Sequence, residues 1–183
     1  MIEIREAQPS DAEAIAAVNA AAWRVAYKGI IDADRLTGIP VKAWIRDIRA
    51  GLEDPKPGTF SLVAELNGEF AGSSFVVVPA RDGDLGPEVG ELVAIYIDPN
   101  RWRQGVGRAL IEETIRRTAA LGLTELSLWT LTQNDPAIRF YEDLGWKPDG
   151  REQIHPSARA PAIRMRRPIR APAAETTAEP DSE

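Results

Sequence analysis

Residues 95–110 read IYIDPNRWRQGVGRAL, in which an apolar strand, a turn and the start of a helix follow one another. An Asp-Pro pair ends the strand, and Val106 and Leu110 begin the apolar side of the helix. The first main-chain N–H groups of a helix have no partner inside it and lie at the positive end of its dipole. Because Gly105 and Gly107 have no Cβ to block close approach, the segment predicts a site for a diphosphate group.

Other interpretations of the same loop are a Walker-type phosphate loop, a dinucleotide-binding fingerprint and an ordinary tight turn before a helix. A Walker-type loop requires Gly-Lys-Ser/Thr, and none follows Gly107. The dinucleotide fingerprint requires a third glycine where Leu110 stands, and its strand should open a parallel unit rather than close a series of hairpins. The tight turn stays open while the glycines are considered alone.

A second stretch reads NDPAIRFYEDLGW over residues 134–146 and begins 27 residues after Gly107. The two stretches resemble the signatures of the GNAT superfamily of N-acetyltransferases. The first resembles its acetyl-CoA-binding motif of strand, proline, Gly-x-Gly loop and helix. The second resembles an Asn followed by Phe-Tyr and Leu-Gly-Trp. Each motif is weak singly, but both at this spacing are specific, and the resemblance covers roughly residues 1–168.

The resemblance implies an α+β fold with a mixed, mostly antiparallel central sheet of about seven strands and helices on both faces. It implies an enzyme that moves an acetyl group from acetyl-CoA directly to a primary amine. A small molecule, a peptide N-terminus and a lysine all stay open as acceptor. The alternative is a non-catalytic acyl-CoA-binding module that uses the same pocket as a sensor or to join a complex.

The resemblance also implies which groups bind the coenzyme. In the family, the strand before the loop parts from its neighbour and offers its amides to the pantetheine and the thioester oxygen, which here are the amides near Ile95, Tyr96 and Ile97. The diphosphate would contact the loop and the first helical turn, namely Arg103, Gln104, Gly105, Val106, Gly107 and Arg108. Asn134 matches a position that contacts CoA, although an Asn before Asp-Pro is equally typical of a helix cap. The family often has Arg or Gln where this chain has Trp102, so the rim of the site departs from the pattern.

Two residues are expected to carry the proton transfers. An alkyl amine with a pKa near 10 is protonated at neutral pH and needs a base before it can attack. Glu91 matches the position where some relatives have that base, whereas the alternative is a solvated residue at the start of a strand. Tyr141 matches the family's proton donor to the leaving thiolate, and its alternative is packing beside Phe140.

The acceptor end is less defined. Trp23 and Tyr27 lie at the end of the first predicted helix and before Gly29, in a part of the fold that usually walls the acceptor site, and they are suited to bind an amine by cation–π contact. They are equally typical of core aromatics. His155, the single histidine, is expected to be a solvated loop residue, and no cluster of His, Cys and acids suggests a metal. A basic run is expected to cover the exposed faces of the last strands: Arg151, Arg159, Arg164, Arg166, Arg167 and Arg170.

The remaining patterns predict the element order β α α β β β α β α β β. Ser10 and Glu13 have the spacing of a capping box at the start of the first helix. Asn67-Gly68 predicts a tight turn between two antiparallel strands. Residues 150–160 are expected to be a loop between the last two strands.

The composition excludes several classes of protein. The 183 residues contain 22 Lys and Arg against 28 Asp and Glu, and a net charge of −6 disfavours binding to nucleic acid. There is no cysteine and no apolar run of the roughly 20 residues that a membrane helix needs, so a soluble, cytoplasmic protein is expected, with a homodimer left open. One catalytic domain over 1–168 is predicted, followed by a disordered acidic tail over 169–183.

Overall fold

A computed structural model describes residues 1–169 of the chain. Its elements, in chain order, are β1 (Ile2–Glu6), α1 (Ala12–Ala26), α2 (Ala33–Thr37), α3 (Val41–Glu53), β2 (Thr59–Leu66), β3 (Glu69–Val77), β4 (Val89–Ile97), α4 (Val106–Ala120), β5 (Glu125–Leu131), α5 (Asp135–Asp143), β6 (Lys147–Ile154) and β7 (Pro161–Pro168). Single turns of 3₁₀ helix precede α1 at Pro9–Asp11 and follow β4 at Pro99–Arg101.

The strands form one mixed sheet in the order β1-β2-β3-β4-β5-β7-β6. All neighbouring strands are antiparallel except β4 and β5, which are parallel. Helices cover both faces, so the predicted seven-stranded α+β architecture is confirmed. In the described part of the chain, no helix is both long and apolar enough to span a bilayer.

Side-chain alternation along the strands separates the two faces. On one face, Leu126 and Leu128 of β5 pack with Ile111 of α4 and with α5. On the other face, Leu131 of β5 packs with Trp23 of α1 and with α2. A polar residue of a central strand therefore lies on the α1 face or the α4 face according to its place in this alternation, which we call its parity.

The pairing of β4 with β5 stops early. The register joins Val89, Gly90 and Glu91 to residues 125–127, whereas β5 stays paired with β7 as far as Leu131. On its other edge, β4 stays paired with β3 as far as Ile97, with one unmatched residue between Leu92 and Ala94. A β-bulge of this kind bends the strand that contains it. We call the space between β4 residues 92–97 and β5 residues 128–131 the strand gap.

Three local predictions are wrong. Ser10 and Glu13 form no capping box. Instead, the 3₁₀ turn at Pro9–Asp11 leads into the first helix, and Asp11 Oδ2 accepts a hydrogen bond from the Gln8 main-chain amide at 2.7 Å. The first part of the predicted loop over 150–160 is regular, since β6 extends to Ile154 and pairs with β7. The short helix α2 was not predicted. The tail from residue 170 lies outside the described residues.

Arg164 corrects the expectation for the basic run. Its side chain is only 3% exposed, because three carboxylates surround the guanidinium on the α1 face of the sheet. Arg166 is also partly buried and donates to Glu125 at 2.5 Å. Alternation along β7 explains the error: Ala162 and Arg164 lie on the α1 face, Ile163 and Met165 lie on the α4 face, and both faces are covered here.

Candidate active site

The loop before α4 presents a row of main-chain donors. Among the described residues, no protein group accepts a hydrogen bond from the amides of Arg103–Arg108, which we call the donor segment. Arg103 has φ 63° and Gly105 has φ 87°, so two residues in the left-handed region turn the chain into the helix. Six consecutive amides at the positive end of a helix form a binding site for an anion.

The bonds that fix this loop do not use the donor segment. Trp102 Nε1 donates to the Ile97 carbonyl at 2.9 Å, so the residue that departs from the family pattern joins the loop to the end of β4. Gln104 Nε2 donates to the Asn100 carbonyl at 3.2 Å, and Asp98 Oδ1 accepts the Asn100 amide at 2.9 Å. The loop therefore holds its shape while its amides stay available to a ligand.

Positive side chains surround the donor segment. Arg108 lies 3.9 Å from Glu112, and Arg103 makes no ion pair with any described residue. Both side chains extend into solvent. Their charge is available to an anion bound at the amides.

Alternation identifies the β4 amides that face the strand gap. Asp98 donates to Ala71 of β3, and in an antiparallel ladder every second residue bonds to the same neighbour. The amides of Ile95 and Ile97 are therefore directed away from β3, toward the gap. Tyr96 has the opposite parity, so its amide faces β3 and its side chain enters the α1 face.

Glu91 lies where the strand gap begins. It is 2% exposed and faces α1, since Gly90 and Leu92 on either side of it face α4. Arg81 supplies three hydrogen bonds to the carboxylate, with Nη2 at 2.6 Å from Oε1, and with Nε at 2.9 Å and the main-chain amide at 3.1 Å from Oε2. These bonds raise the pKa of Arg81. Glu91 is thus a buried, paired carboxylate and not the solvated residue of the alternative interpretation.

The chain's three tyrosines, Tyr27, Tyr96 and Tyr141, approach one another from α1, β4 and α5. Burial raises the pKa of each phenol, and the Tyr96 hydroxyl raises that of Tyr27 and Tyr141 further. Each of them is therefore a neutral O–H donor at physiological pH.

Helix α5 is held close to the start of α4. A Cβ at Gly107 would lie 3.1 Å from the Phe140 ring, so glycine permits this contact. Tyr141 packs between Phe140 at 5.4 Å and Trp146 at 6.0 Å between ring centroids. Asn134 caps α5, since its Oδ1 accepts the Ala137 amide at 3.4 Å, and this leaves the Nδ2 group of the capping residue to donate elsewhere.

The model of the acetyltransferase (GNAT) family matches residues 19–146. An uncharacterized N-acetyltransferase of Bacillus subtilis (strain 168), YuaI, is 33% identical over 142 residues, which are 78% of each protein. The chain belongs to the GNAT acetyltransferase family. A probable N-acetyltransferase of Mycobacterium tuberculosis is 28% identical to this GNAT protein over 158 residues, which are 82% of each chain. The crystal structure of the PaiA N-acetyltransferase of Thermoplasma acidophilum, in complex with coenzyme A, shares the fold with a TM-score of 0.70 at 20% identity, and the match covers 92% of this chain and 99% of that one.

The family assignment makes this GNAT protein an acyltransferase, and it confirms the resemblance seen in the two signature stretches. The roles of individual residues stay predictions. The structure brings Glu91, Tyr96, Tyr141 and the donor segment to the two ends of the strand gap. Trp23 and Tyr27 lie beside it on the α1 face, in edge contact at 5.0 Å, and Trp44 of α3 lies 5.5 Å from Trp23.

His155 is more constrained than a solvated loop histidine. Its Nδ1 accepts the Ala158 amide at 3.1 Å, so Nε2 bears the proton of the neutral ring. Burial and the nearby Arg81 lower the pKa of His155. The described residues contain no group of three or more His, Cys, Asp or Glu side chains arranged to bind a metal.

Sequence reasoning missed Arg81 and the residues that hold its loop. Arg81 lies in a Gly- and Asp-rich segment with no recognisable motif, and its partner Glu91 is ten residues away across a loop. Arg164 was expected on the surface. The available signal was parity: Arg164 shares the α1 face with Trp129, whose neighbours Leu128 and Thr130 face the other way.

Proposed function

We propose that this GNAT protein is an N-acetyltransferase that moves the acetyl group of acetyl-CoA directly to a primary amine. The observation that carries the proposal is the donor segment, six free amides at the start of α4, placed beside a strand whose own amides face an open gap. Main-chain donors of this kind bind a diphosphate at one end and stabilise the oxygen of an acyl group at the other. The complex of the Thermoplasma acidophilum protein with coenzyme A supports the choice of donor.

The donor segment would bind the diphosphate, with Arg103 and Arg108 adding charge at its rim. The amides of Ile95 and Ile97 would hold the pantetheine arm and the thioester oxygen along the strand gap. Asn134 would donate from its free amide group at the α5 end. The coenzyme supplies an activated acyl group, and the protein supplies orientation.

Glu91 would take the proton from the incoming ammonium group. Arg81 donates three hydrogen bonds to its two oxygens, so the amine, directly or through a water molecule, would use the acceptor site left on Oε1 or displace the Arg81 side chain. Displacement is feasible because the Arg81 side chain is 63% exposed. The Tyr141 hydroxyl, kept protonated by burial, would then donate to the leaving thiolate. Trp23 and Tyr27 would contact the acceptor.

The same Arg81 pair favours one alternative. A buried carboxylate that already accepts three hydrogen bonds from one arginine is suited to structure rather than to proton transfer, as expected of a non-catalytic acyl-CoA-binding module. The two functions share the coenzyme site and differ in turnover.

Thiol release from acetyl-CoA, measured over a panel of small amines, polyamines, aminoglycosides and peptides, distinguishes them. We expect at least one amine to give saturable release, and Glu91→Gln to lower kcat/KM for it by about 10²-fold or more. Arg46→Gln is the control, because the Arg46 side chain is 75% exposed and pairs with its neighbour Asp47 on the surface of α3. Tight binding of acetyl-CoA without release for any amine would instead support the binding module.

A further inference from the structure

Arg164 of β7 is a buried arginine with three carboxylate partners. Its Nη1 and Nη2 donate to the two oxygens of Asp84 at 2.8 Å each, and its Nε donates to Asp149 at 2.7 Å. Asp82 Oδ2 lies 3.4 Å from Nη1. These contacts lower the pKa of Asp84, chiefly through the hydrogen bonds from Arg164. Two of the carboxylates, Asp82 and Asp84, belong to the loop between β3 and β4.

The same loop is held by a second donor from the sheet. Trp129 Nε1 of β5 donates to Asp82 at 3.0 Å, and the Arg164 guanidinium lies 5.9 Å from the centre of the Trp129 ring. Both donors stand on adjacent, fully paired strands, β5 and β7. A loop tied to two rigid strands has little freedom to move away from the sheet.

Arg81 precedes Asp82 in this loop and makes the bonds to Glu91. The Arg81 side chain is 63% exposed, whereas the Glu91 carboxylate that it contacts is buried. Asp82 and Asp84, which follow Arg81 in the loop, bond to β5 and β7, and these bonds add to the main-chain bond from Ala80 to Val89 at the base of the loop.

We propose that Arg164 is a positioning residue of the acceptor side of the site. It fixes the β3–β4 loop as a rigid wall, and through that loop it holds Arg81 on Glu91. The proposal rests on the proposed function in one respect, that the amine binds next to Glu91. It names no contact between Arg164 and a substrate.

Loss of the anchor has a specific consequence. Without the Arg164–Asp84 bonds, the loop gains freedom and Arg81 is no longer held beside the place where the amine would bind, so amine binding weakens. The coenzyme would bind at the other end of the strand gap, to the donor segment, which makes no hydrogen bond or ion pair with residues 78–88. The expected signature is therefore a higher KM for the amine with little change in affinity for acetyl-CoA.

The test compares Asp84→Asn with Asp149→Asn. Both variants remove one carboxylate from the same guanidinium, but Asp84 lies in the loop, where it also pairs with Arg151 of β6 at 3.1 Å, whereas Asp149 lies on β6. We expect Asp84→Asn to raise the KM for the amine about 10-fold, with kcat and the Kd for acetyl-CoA within about twofold of the parent protein. Asp149→Asn should leave all three unchanged. Equal effects of the two variants, or no effect of Asp84→Asn, would overturn the proposal.

Two further measurements separate positioning from general destabilisation and from failure of the proposed function. In an Arg81→Met background, Asp84→Asn should change the KM no further, because the loop would then have no guanidinium to position.

Amide hydrogen exchange requires no activity, and Asp84→Asn should accelerate exchange over residues 80–88 while Asp149→Asn does not. Additive effects on KM, or unchanged exchange in Asp84→Asn, would show that Arg164 does not position the loop.

Discussion

Gly105 illustrates how a single residue serves both the fold and the proposed ligand. Its φ of 87° is in the left-handed region, where a side chain costs roughly 1 kcal/mol. Space is not the constraint, because the nearest atom to a Cβ added at this position would be Ile2 Cδ1 at 3.5 Å. The positive φ by itself favours glycine here, and the proposed approach of a diphosphate to the donor segment would be a second reason.

Gly105→Ala and Gly68→Ala form a matched pair for this interpretation. Gly68 has φ 81° in the β2–β3 hairpin, and a Cβ added there would have no atom within 4 Å. We expect both variants to lose about 1 kcal/mol of unfolding free energy in urea titrations. Only Gly105→Ala should weaken coenzyme A binding, by about 10-fold in calorimetry. An unchanged Kd in that variant would argue against a diphosphate at this turn.

Removal of one hydroxyl tests the proton donor. Tyr141→Phe keeps the ring between Phe140 and Trp146, so the thermal unfolding midpoint should stay within a few degrees. We expect kcat to fall about 10²-fold at saturating amine, with the Kd for acetyl-CoA unchanged. Burial raises the pKa of Tyr141, so ionisation of this phenol should add no basic limb to the pH–rate profile below about pH 10. A kcat equal to that of the parent protein would exclude the role.

At this scale, the sequence predicts local chemistry better than non-local pairs. The donor segment follows from glycine spacing and a helix start, both of which are local. The Arg81–Glu91 pair and the bonds of Arg164 with Asp84 join residues across loops and strands. A single sequence contains no signal for such pairs beyond the parity of a strand.

Among the elements, α4 carries the donor segment and is stabilised by charge pairs at its centre. Hydrogen bonds from Arg116, and then from Arg117, lower the pKa of Glu113 to about 2 against the opposing effect of burial. Arg117 also contacts Glu6 of β1, so the pairs join the helix to the edge of the sheet.

Glu113→Gln should therefore destabilise the protein in a pH-dependent way. The folded pKa is depressed, so the stabilisation is present above the unfolded pKa of about 4.3 and is lost as pH falls toward about 2. With allowance for solvent screening, we expect a deficit of about 1 kcal/mol at pH 7 in urea titrations, narrowing steadily below about pH 4.5. Glu112→Gln serves as the control, since Glu112 is 63% exposed and its ion pair with Arg108 is long, at 3.9 Å. A deficit in Glu113→Gln that does not change with pH would contradict this account.

Helices and strands were predicted correctly where one local sequence pattern dominates, and incorrectly where the local composition and the strand pairing favour different structures. The hairpin at Asn67-Gly68 and the apolar β4 strand are strong local signals, and both are present. Most of β6 has the polar composition of a loop, because its residues are exposed along their whole length. In the described part of the chain, the only strand that pairs with β6 is β7, and a local pattern does not reveal this pairing.

At the scale of the whole molecule, the proposed function predicts stabilisation by the coenzyme. A ligand that binds only the folded state at about 100 times its Kd adds about 2.7 kcal/mol. For a chain of this size, that shifts the thermal midpoint by roughly 5–10 °C. We expect such a shift with coenzyme A and none with NAD at equal concentration. A shift with NAD alone would favour the dinucleotide interpretation of the Gly-x-Gly loop.

The strand gap is the feature that sequence patterns alone do not locate. It arises because β4 pairs fully with β3 while β5 pairs fully with β7, so the two halves of the sheet separate beyond Glu91. The family resemblance anticipated it, whereas the propensity of β4 predicts only a buried strand. The gap places the donor segment at one end and the Arg81–Glu91 pair at the other.

The most direct test of the central claim is an NMR titration of the ¹⁵N-labelled protein with coenzyme A. Since the amides of residues 103–108 have no acceptor within the described part of the protein, a bound diphosphate should shift them more than any other amides, with a single saturating Kd. Binding that leaves these six resonances in place, or no binding at all, would contradict the account.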